Sequence, residues 1–275
     1  MEASKTSSED PPFKSEEEMA ELQKMSAEYQ PDTKGPLVSE KLSSDAIAVE
    51  YAWADPVYIE KTMHLHEKFS HYRTVRGDGN CGWRAIAFCY MEALAQAAKG
   101  PHIATELDRL LRLNSTMEAV GWNHFTTEDF VEETVKVLTY LLESIDPASP
   151  EAAERILSVF ADPETSDAIV THFRLLTSAH MRLNPDEYAP FIENPNLEIY
   201  CNNVIEPFTQ EIDHVGMKAL IDTIILPAGL QVEIMYLDRS EGQEVNVHSF
   251  KQERETPSDL ATEEPLSVIR LLYRP

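Results

Sequence analysis

Two periodicities divide this chain, and any fold has to accommodate both. From Cys81 to Met181 apolar residues return at helical spacing, interrupted at Gly100–Pro101 and at Asp146–Pro147. After Leu230 the spacing changes: "LQVEIMYLD" (Leu230 to Asp238) alternates apolar and polar, and "SVIRLLYR" (Ser267 to Arg274) reads as a second strand. The pattern predicts an α+β (mixed α/β) class, with a mainly helical N-terminal half packed on a small C-terminal β-sheet. Helices are predicted over Ser43 to His71, with a break or restart at Pro56, and over Cys81 to Lys99, stopped by Gly100–Pro101. Others follow over His102 to Ala119, from Thr126 as N-cap toward Ile145, over Glu151 to Phe160, and over Thr165 to Met181. The last carries Ile169, Val170, Phe173, Leu175 and Leu176, which predicts burial. The polar, acidic stretch from Arg239 to Pro265 is predicted to be a long loop. Residues 1–34 are expected to be an acidic, largely disordered tail with a short helix at Glu16 to Tyr29, and residues 35–275 one domain.

Charge narrows the partners. The net charge of −25, from 48 acidic and 23 basic side chains, sets the chain against nucleic acid, whose phosphates need clustered Lys and Arg. It equally disfavours an anionic membrane, favours a partner with a basic face, and keeps the protein soluble. The N-terminus MEASKTSSEDPPFKSEEEM has no apolar core of a secretory signal, and no apolar run approaches the roughly 20 residues of a membrane span. The expectation is a soluble monomer of the cytoplasm, and of the nucleus as well. Cys81, Cys89 and Cys201 are too few and too irregular for a disulfide framework or a zinc site.

Cys81 differs from the other two cysteines in what precedes it. Gly77-Asp78-Gly79-Asn80 is a turn, and the helix begins at or beside Cys81. The free N–H groups and dipole of a helix start favour a thiolate and offer a cradle for an oxyanion. Turn, cysteine and helix together suit acyl transfer through a thiol. A small buried hydrophobe behind an ordinary turn has the same spelling, and spacing alone leaves both readings open. Cys89 and Cys201 lack the glycine turn and read as core residues.

The string "GDGNCGWRAI" resembles the signature of the ovarian-tumour (OTU) family of deubiquitinating cysteine proteases. The likeness narrows to the otubain subgroup through "PLVSEKL", "FSHYRTVRGDGNCGWRA", "FTTEDF", "TSDAIVTHFRLLTS", "EPFTQEIDHVGMKAL", "VEIMYLDRSEG" and the final "LLYRP", in that order across residues 35–275. The resemblance implies a papain-like OTU fold and hydrolysis of isopeptide bonds in ubiquitin chains, without metal or organic cofactor. It implies Cys81 as nucleophile. It implies that Asp78 shapes the loop over the centre, its backbone N–H joining that of Cys81 in holding the oxyanion. Arg84 reads as structural, paired with a carboxylate or carbonyl. Ubiquitin and polyubiquitin chains are the implied partners, with a second ubiquitin or a ubiquitin-conjugating enzyme for the helix at Glu16 to Tyr29, where a solubilising tail is the other reading.

One departure from the family pattern stands out. Otubains follow the segment matching "LLYRP" with Gly-His-Tyr-Asp, which carries the general base and its orienting aspartate, and this sequence stops at Pro275. Of the nine histidines, His248 in "NVHSF" lies between the two predicted strands and is the substitute to examine, while His214 reads as a packing residue. Two expectations follow: a reading frame cut short by gene-model error or splicing, or a pseudo-enzyme that still binds ubiquitin or a ubiquitin-conjugating enzyme.

Overall fold

A computed structural model describes residues 35–192, 196–240, 242–251 and 264–274. In chain order it contains β1 (Leu42–Ser43), α1 (Asp45–Glu50), α2 (Pro56–Met63), α3 (Leu65–Lys68), β2 (His71–Tyr72), α4 (Cys81–Ala97) and α5 (Gly100–Ala119). There follow α6 (His124–Glu143), α7 (Pro150–Ala161), α8 (Pro163–Leu183), α9 (Pro185–Tyr188), α10 (Leu197–Tyr200) and α11 (His214–Leu220). The strands β3 (Leu230–Tyr236), β4 (Asn246–Phe250) and β5 (Ser267–Tyr273) complete it, giving the expected α+β architecture.

Helix α4 is the axis. Trp83, Ile86, Ala87, Tyr90, Met91 and Leu94 recur every three or four residues and all are 0% exposed. Each large side chain among them contributes about 1.5–3 kcal/mol by leaving water. Phe88 meets Phe160 of α7 edge-on at 5.4 Å, and Tyr90 meets Phe173 of α8 at 5.8 Å. Strand β5 also lies against α4. The helix that begins at Cys81 is therefore held by both the helical half and the sheet.

The sheet has the order β4-β3-β5. β3 pairs antiparallel with β4, from Val232 opposite Phe250 to Tyr236 opposite Asn246. It pairs parallel with β5, from Leu230 opposite Ser267 to Tyr236 opposite Tyr273. Lys61 of α2, buried to 2% exposure, reaches the turn after β3 and donates to the Asp238 carboxylate at 2.7 Å and to Ser240 Oγ at 2.9 Å.

Several boundaries differ from expectation for local reasons. Gly100–Pro101 opens α5 as well as closing α4, because proline in the first turn of a helix loses no hydrogen bond. The cap of α6 is Asn123, whose Oδ1 accepts from the Phe125 N–H at 3.0 Å, so Thr126 lies inside the helix. Ser43 to His71 is three short helices whose ends are clasped by the β1–β2 pair. The expected loop Arg239 to Pro265 contains β4, an edge strand with only Phe250 buried, so no apolar alternation marks it. The tail 1–34, its short helix and residues 252–263 lie outside the described residues. Among the described residues no helix is long and apolar enough to cross a membrane.

Candidate active site

Cys81 is the first residue of α4, and the Arg84 N–H donating to the Asn80 carbonyl at 2.8 Å is the helix's first bond. The turn before it admits glycine alone at one point. Gly79 has φ +81°, and a Cβ there would stand 1.9 Å from the Thr209 carbonyl oxygen. Asn80 holds the N-cap position without capping. Its Oδ1 instead accepts from Arg174 Nη2 at 2.8 Å and from the Thr209 N–H at 3.1 Å. The first turn of α4 is thus left with no side-chain cap, and the Gly82 N–H is directed to the Cys81 sulfur. Uncapped N–H groups beside a nucleophile are what an oxyanion requires.

Two arginines with 0% exposure fix this turn. Arg84 donates to both oxygens of Asp78, at 2.9 and 2.7 Å, to Ser166 Oγ at 3.0 Å and to Asp167 at 2.9 Å, joining the motif loop to the start of α8. The expectation that Arg84 pairs with a carboxylate is met twice over. Arg174 of α8 stacks 4.7 Å over the Trp83 ring and donates to the carbonyls of Ile205 (2.9 Å) and Gln210 (2.6 Å) as well as to Asn80. Burial, with Arg84 nearby, pushes Arg174 down to about 10, so it stays charged at neutral pH. Between these anchors Thr209 sits at φ +66°, a strained conformation for a β-branched residue.

Two expectations are corrected here. The helix start does not make Cys81 acidic. Burial raises the thiol above its ordinary value, and the carboxylates of Glu211 and Asp78 raise it further, against the Gly82 N–H and Arg84. Removing the thiolate from water outweighs the help of one N–H. The Asp78 N–H, expected at the oxyanion, donates to the Arg76 carbonyl at 3.0 Å, so the loop spends that donor on itself. The Asp78 Oδ1 accepts from the Asn80 N–H at 2.9 Å, a bond within the loop.

The far end of the chain reaches the same place. Tyr273, last residue of β5, donates to Glu211 at 3.4 Å, and burial, then Glu211 and to a lesser degree Cys81, raise its hydroxyl above the ordinary value. Among the described residues no histidine is paired with Tyr273 or Cys81. His248 packs against His214 at 5.7 Å and Phe250 at 4.8 Å. It lies opposite Ile234, which lies opposite Leu271, so two strand spacings, about 10 Å, separate it from β5. His172 is fully buried, donates to Asn114 Oδ1 at 2.8 Å and accepts from Thr134 Oγ at 2.8 Å; burial pushes it down to about 3. The others have partners elsewhere: His64 with Glu67, His66 with Asp45, His71 with Ser70, His102 with Ala228, His124 with Phe125 and His180 with Tyr188. Among the described residues no group of three or more His, Cys, Asp or Glu side chains could hold a metal ion. Cys201 is buried in the core as expected, whereas Cys89 is half-buried against its margin, with its thiol pushed up to about 12 by desolvation.

A groove of about 630 Å³ runs between α6 and α8. Asp129, Glu132, Glu133, Glu164 and Asp167 line it with Phe130 and Phe208. Asp167 also binds Arg84, so the groove adjoins the motif loop. Arg174, Glu211 and Tyr273 escaped the sequence reading. Only Arg174 carries a signal, a charge inside the apolar run Ile169 to Leu176.

Residues 30–275 match the family described as Peptidase C65, Otubain. The human ubiquitin thioesterase OTUB1 is 32% identical over 245 residues, covering 87% of this chain and 80% of that protein. From Arabidopsis thaliana, OVARIAN TUMOR DOMAIN-containing deubiquitinating enzyme 1 is 29% identical over 277 residues, covering 98% and 84%. Among solved structures, that of h/ceOTUB1-ubiquitin aldehyde-UBC13~Ub aligns with a TM-score of 0.73 at 28% identity and covers 94% of each chain.

Proposed function

The chain belongs to the otubain family of cysteine peptidases, and we propose that it is a ubiquitin thioesterase and isopeptidase with Cys81 as nucleophile. The relatives' names support a cysteine deubiquitinase by family. The observation that carries the reading for this chain is the uncapped helix start at Cys81, clamped by Arg84 and Arg174.

In the first step the Cys81 sulfur adds to the carbonyl carbon at the C-terminus of ubiquitin. The oxyanion meets N–H groups of the first turn of α4. Collapse breaks the C–N bond, the thiol proton passes to the departing lysine amine, and a thioester remains. Water then attacks the thioester, releasing ubiquitin and restoring the thiol. The acidic groove suits the basic C-terminal tail of ubiquitin, its carboxylates meeting arginines and its two phenylalanines meeting apolar side chains. A ubiquitin-conjugating enzyme is the second partner, on the strength of the UBC13 and UBCH5B conjugates in the aligned structures.

The proton needs a carrier. Tyr273 ends the strand that reaches Cys81 and Glu211, so a base borne on the segment following "LLYRP", as in the otubain motif Gly-His-Tyr-Asp, would arrive at the thiol. A second reading, a binder of ubiquitin or its conjugating enzyme without turnover, draws on the absence of any histidine partner for Cys81 among the described residues. Turnover of di-ubiquitin by the chain ending at Pro275 and by one extended with Gly-His-Tyr-Asp separates the two. Cleavage by the extended chain, lost in Cys81→Ser, is the expected result. Tight binding with no cleavage by either favours the binder.

A further inference from the structure

Asn80 stands where a helix is capped and does not cap it. Among the described residues six helices carry a side-chain cap, at Asp55, Asn123, Ser149, Asp162, Asn196 and Asp213. In all six the cap residue has ψ between 93° and 179°, and its side-chain oxygen accepts from an N–H two or three residues on. Asparagine is among the best residues for this task. Asn80 instead has φ −106° and ψ 0°, in the bridge region, and accepts nothing from the N–H groups of Gly82 or Trp83.

The reason lies in what has taken the oxygen. Arg174 Nη2 donates to Asn80 Oδ1 at 2.8 Å, and the Thr209 N–H donates to the same atom at 3.1 Å. An amide oxygen has two lone pairs, so none is left for the helix. Asn80 is 1% exposed and Arg174 0%, and a charge-assisted bond out of water is stronger than a neutral cap. The same nitrogen donates to the Gln210 carbonyl at 2.6 Å and to the Gly79 carbonyl at 3.4 Å, so it ties the turn before Asn80 to the loop that carries Thr209. Asp78 Oδ1 holds the Asn80 N–H from the other side. A group placed to fill the cradle beside Cys81 is thereby turned away from it.

We propose that Arg174 is a positioning residue for acylation: it withholds Asn80 from the cap and so keeps the Gly82 and Trp83 N–H groups open to the oxyanion formed at Cys81. This rests on the reading of Cys81 as a ubiquitin-directed nucleophile. Addition of the sulfur to the ubiquitin carbonyl carbon forms the S–C bond and sends the C=O π pair onto oxygen. That oxygen is stabilised only by donors already in place. An Asn80 turned to the cap, as the six other residues are, would occupy those N–H groups and present a lone pair to the negative oxygen. Arg174 acts through Asn80, from a helix that begins 82 residues after Cys81 in the chain, Pro163–Leu183.

Ubiquitin aldehyde reads the cradle, because its adduct with the Cys81 thiol places an oxygen there. Iodoacetamide reads the thiol alone, because displacement of iodide forms no oxyanion. Both are applied to the full chain with and without Arg174→Gln, the alkylation as a complete pH profile. Ubiquitin affinity is measured in the same pair carrying Cys81→Ala. The expected result is that Arg174→Gln weakens the aldehyde adduct about tenfold or more, while the maximal alkylation rate and the ubiquitin affinity stay in place. Asn80→Ala, added to Arg174→Gln, removes the cap and restores most of the loss. A second pair keeps the arginine and decides the matter should Arg174→Gln not fold. Asn80→Ser can cap and Asn80→Ala cannot, so the serine protein should hold the aldehyde about tenfold less tightly. Equal aldehyde affinity in the serine and alanine proteins overturns the proposal and leaves Cys81 chemistry standing. So does a loss in Arg174→Gln that Asn80→Ala does not restore, or one shared equally by alkylation and ubiquitin binding. A wild-type chain that forms no bond between Cys81 and the aldehyde overturns the functional reading itself, and this proposal with it.

Discussion

Cys81 lies between two regions built by different means. On the helical side, the turn at Gly79–Asn80, the start of α4 and the strained Thr209 loop are locked by Arg84 and Arg174, each fully buried and each making at least three polar contacts. On the sheet side, Tyr273 is 48% exposed and holds Glu211 by one long bond. The first region is set before any substrate arrives. The second faces solvent, and its one carboxylate near the thiol opposes ionisation. The difference separates placing a nucleophile, which needs rigidity, from activating it, which the described residues leave undone.

The contrast is broken most severely at Arg84. Arg84→Met strands the Asp78 and Asp167 carboxylates, whose side chains are 20% and 35% exposed, and stability should fall by about 2–3 kcal/mol, less than the loss of one partner of a fully buried ion pair. Urea denaturation reads this; a loss below about 1 kcal/mol would show that the clamp carries little.

His172 tests the foundation of the same side. It joins α8 to Thr134 of α6 and Asn114 of α5, and is held neutral down to about 3 against an ordinary 6.5. The unfolded chain gains a proton on this residue as pH falls through 6.5, whereas the folded chain does not until about 3. Stability is therefore full above 6.5 and declines below it, by about 2 kcal/mol from this group by pH 5. In His172→Gln the fall in melting midpoint between pH 7 and pH 5 should shrink. An unchanged slope would place the acid sensitivity elsewhere.

The smallest effect concerns the sheet side. Glu211→Gln removes a negative charge that disfavours the Cys81 thiolate, so the pH profile of Cys81 alkylation should move to lower pH and the rate at neutral pH rise several-fold. Cys201 is buried and Cys89 is pushed up to about 12, so neither interferes. A profile that stays in place, or moves up, would detach Glu211 from the thiol.

These asymmetries mark what the sequence discloses. The helical half is legible because its contacts are local: apolar spacing predicts α4 and α8, and the glycine turn predicts where Cys81 stands. Arg84 is readable for the same reason, three residues from the cysteine. Asn80 looks like a cap and is not one, because its oxygen is taken by Arg174 and Thr209, distant in sequence. Glu211 and Tyr273 are illegible because they come from other elements, and the direction of the thiol shift depends first on burial and then on the charge of Glu211. β4 is hidden because an edge strand buries too little to leave a pattern. Local chemistry is written in the order of residues, while its sign is decided by what folds against it.

The proposed function requires that Cys81 alone be the ubiquitin-directed nucleophile. The direct measurement is reaction of the chain with ubiquitin bearing a C-terminal electrophile, with the adduct mapped by peptide mass spectrometry. The expected product carries a single ubiquitin on Cys81, is absent in Cys81→Ser and forms faster in Glu211→Gln. An adduct on Cys89 or Cys201, or none where the human relative OTUB1 is labelled under the same conditions, would contradict it.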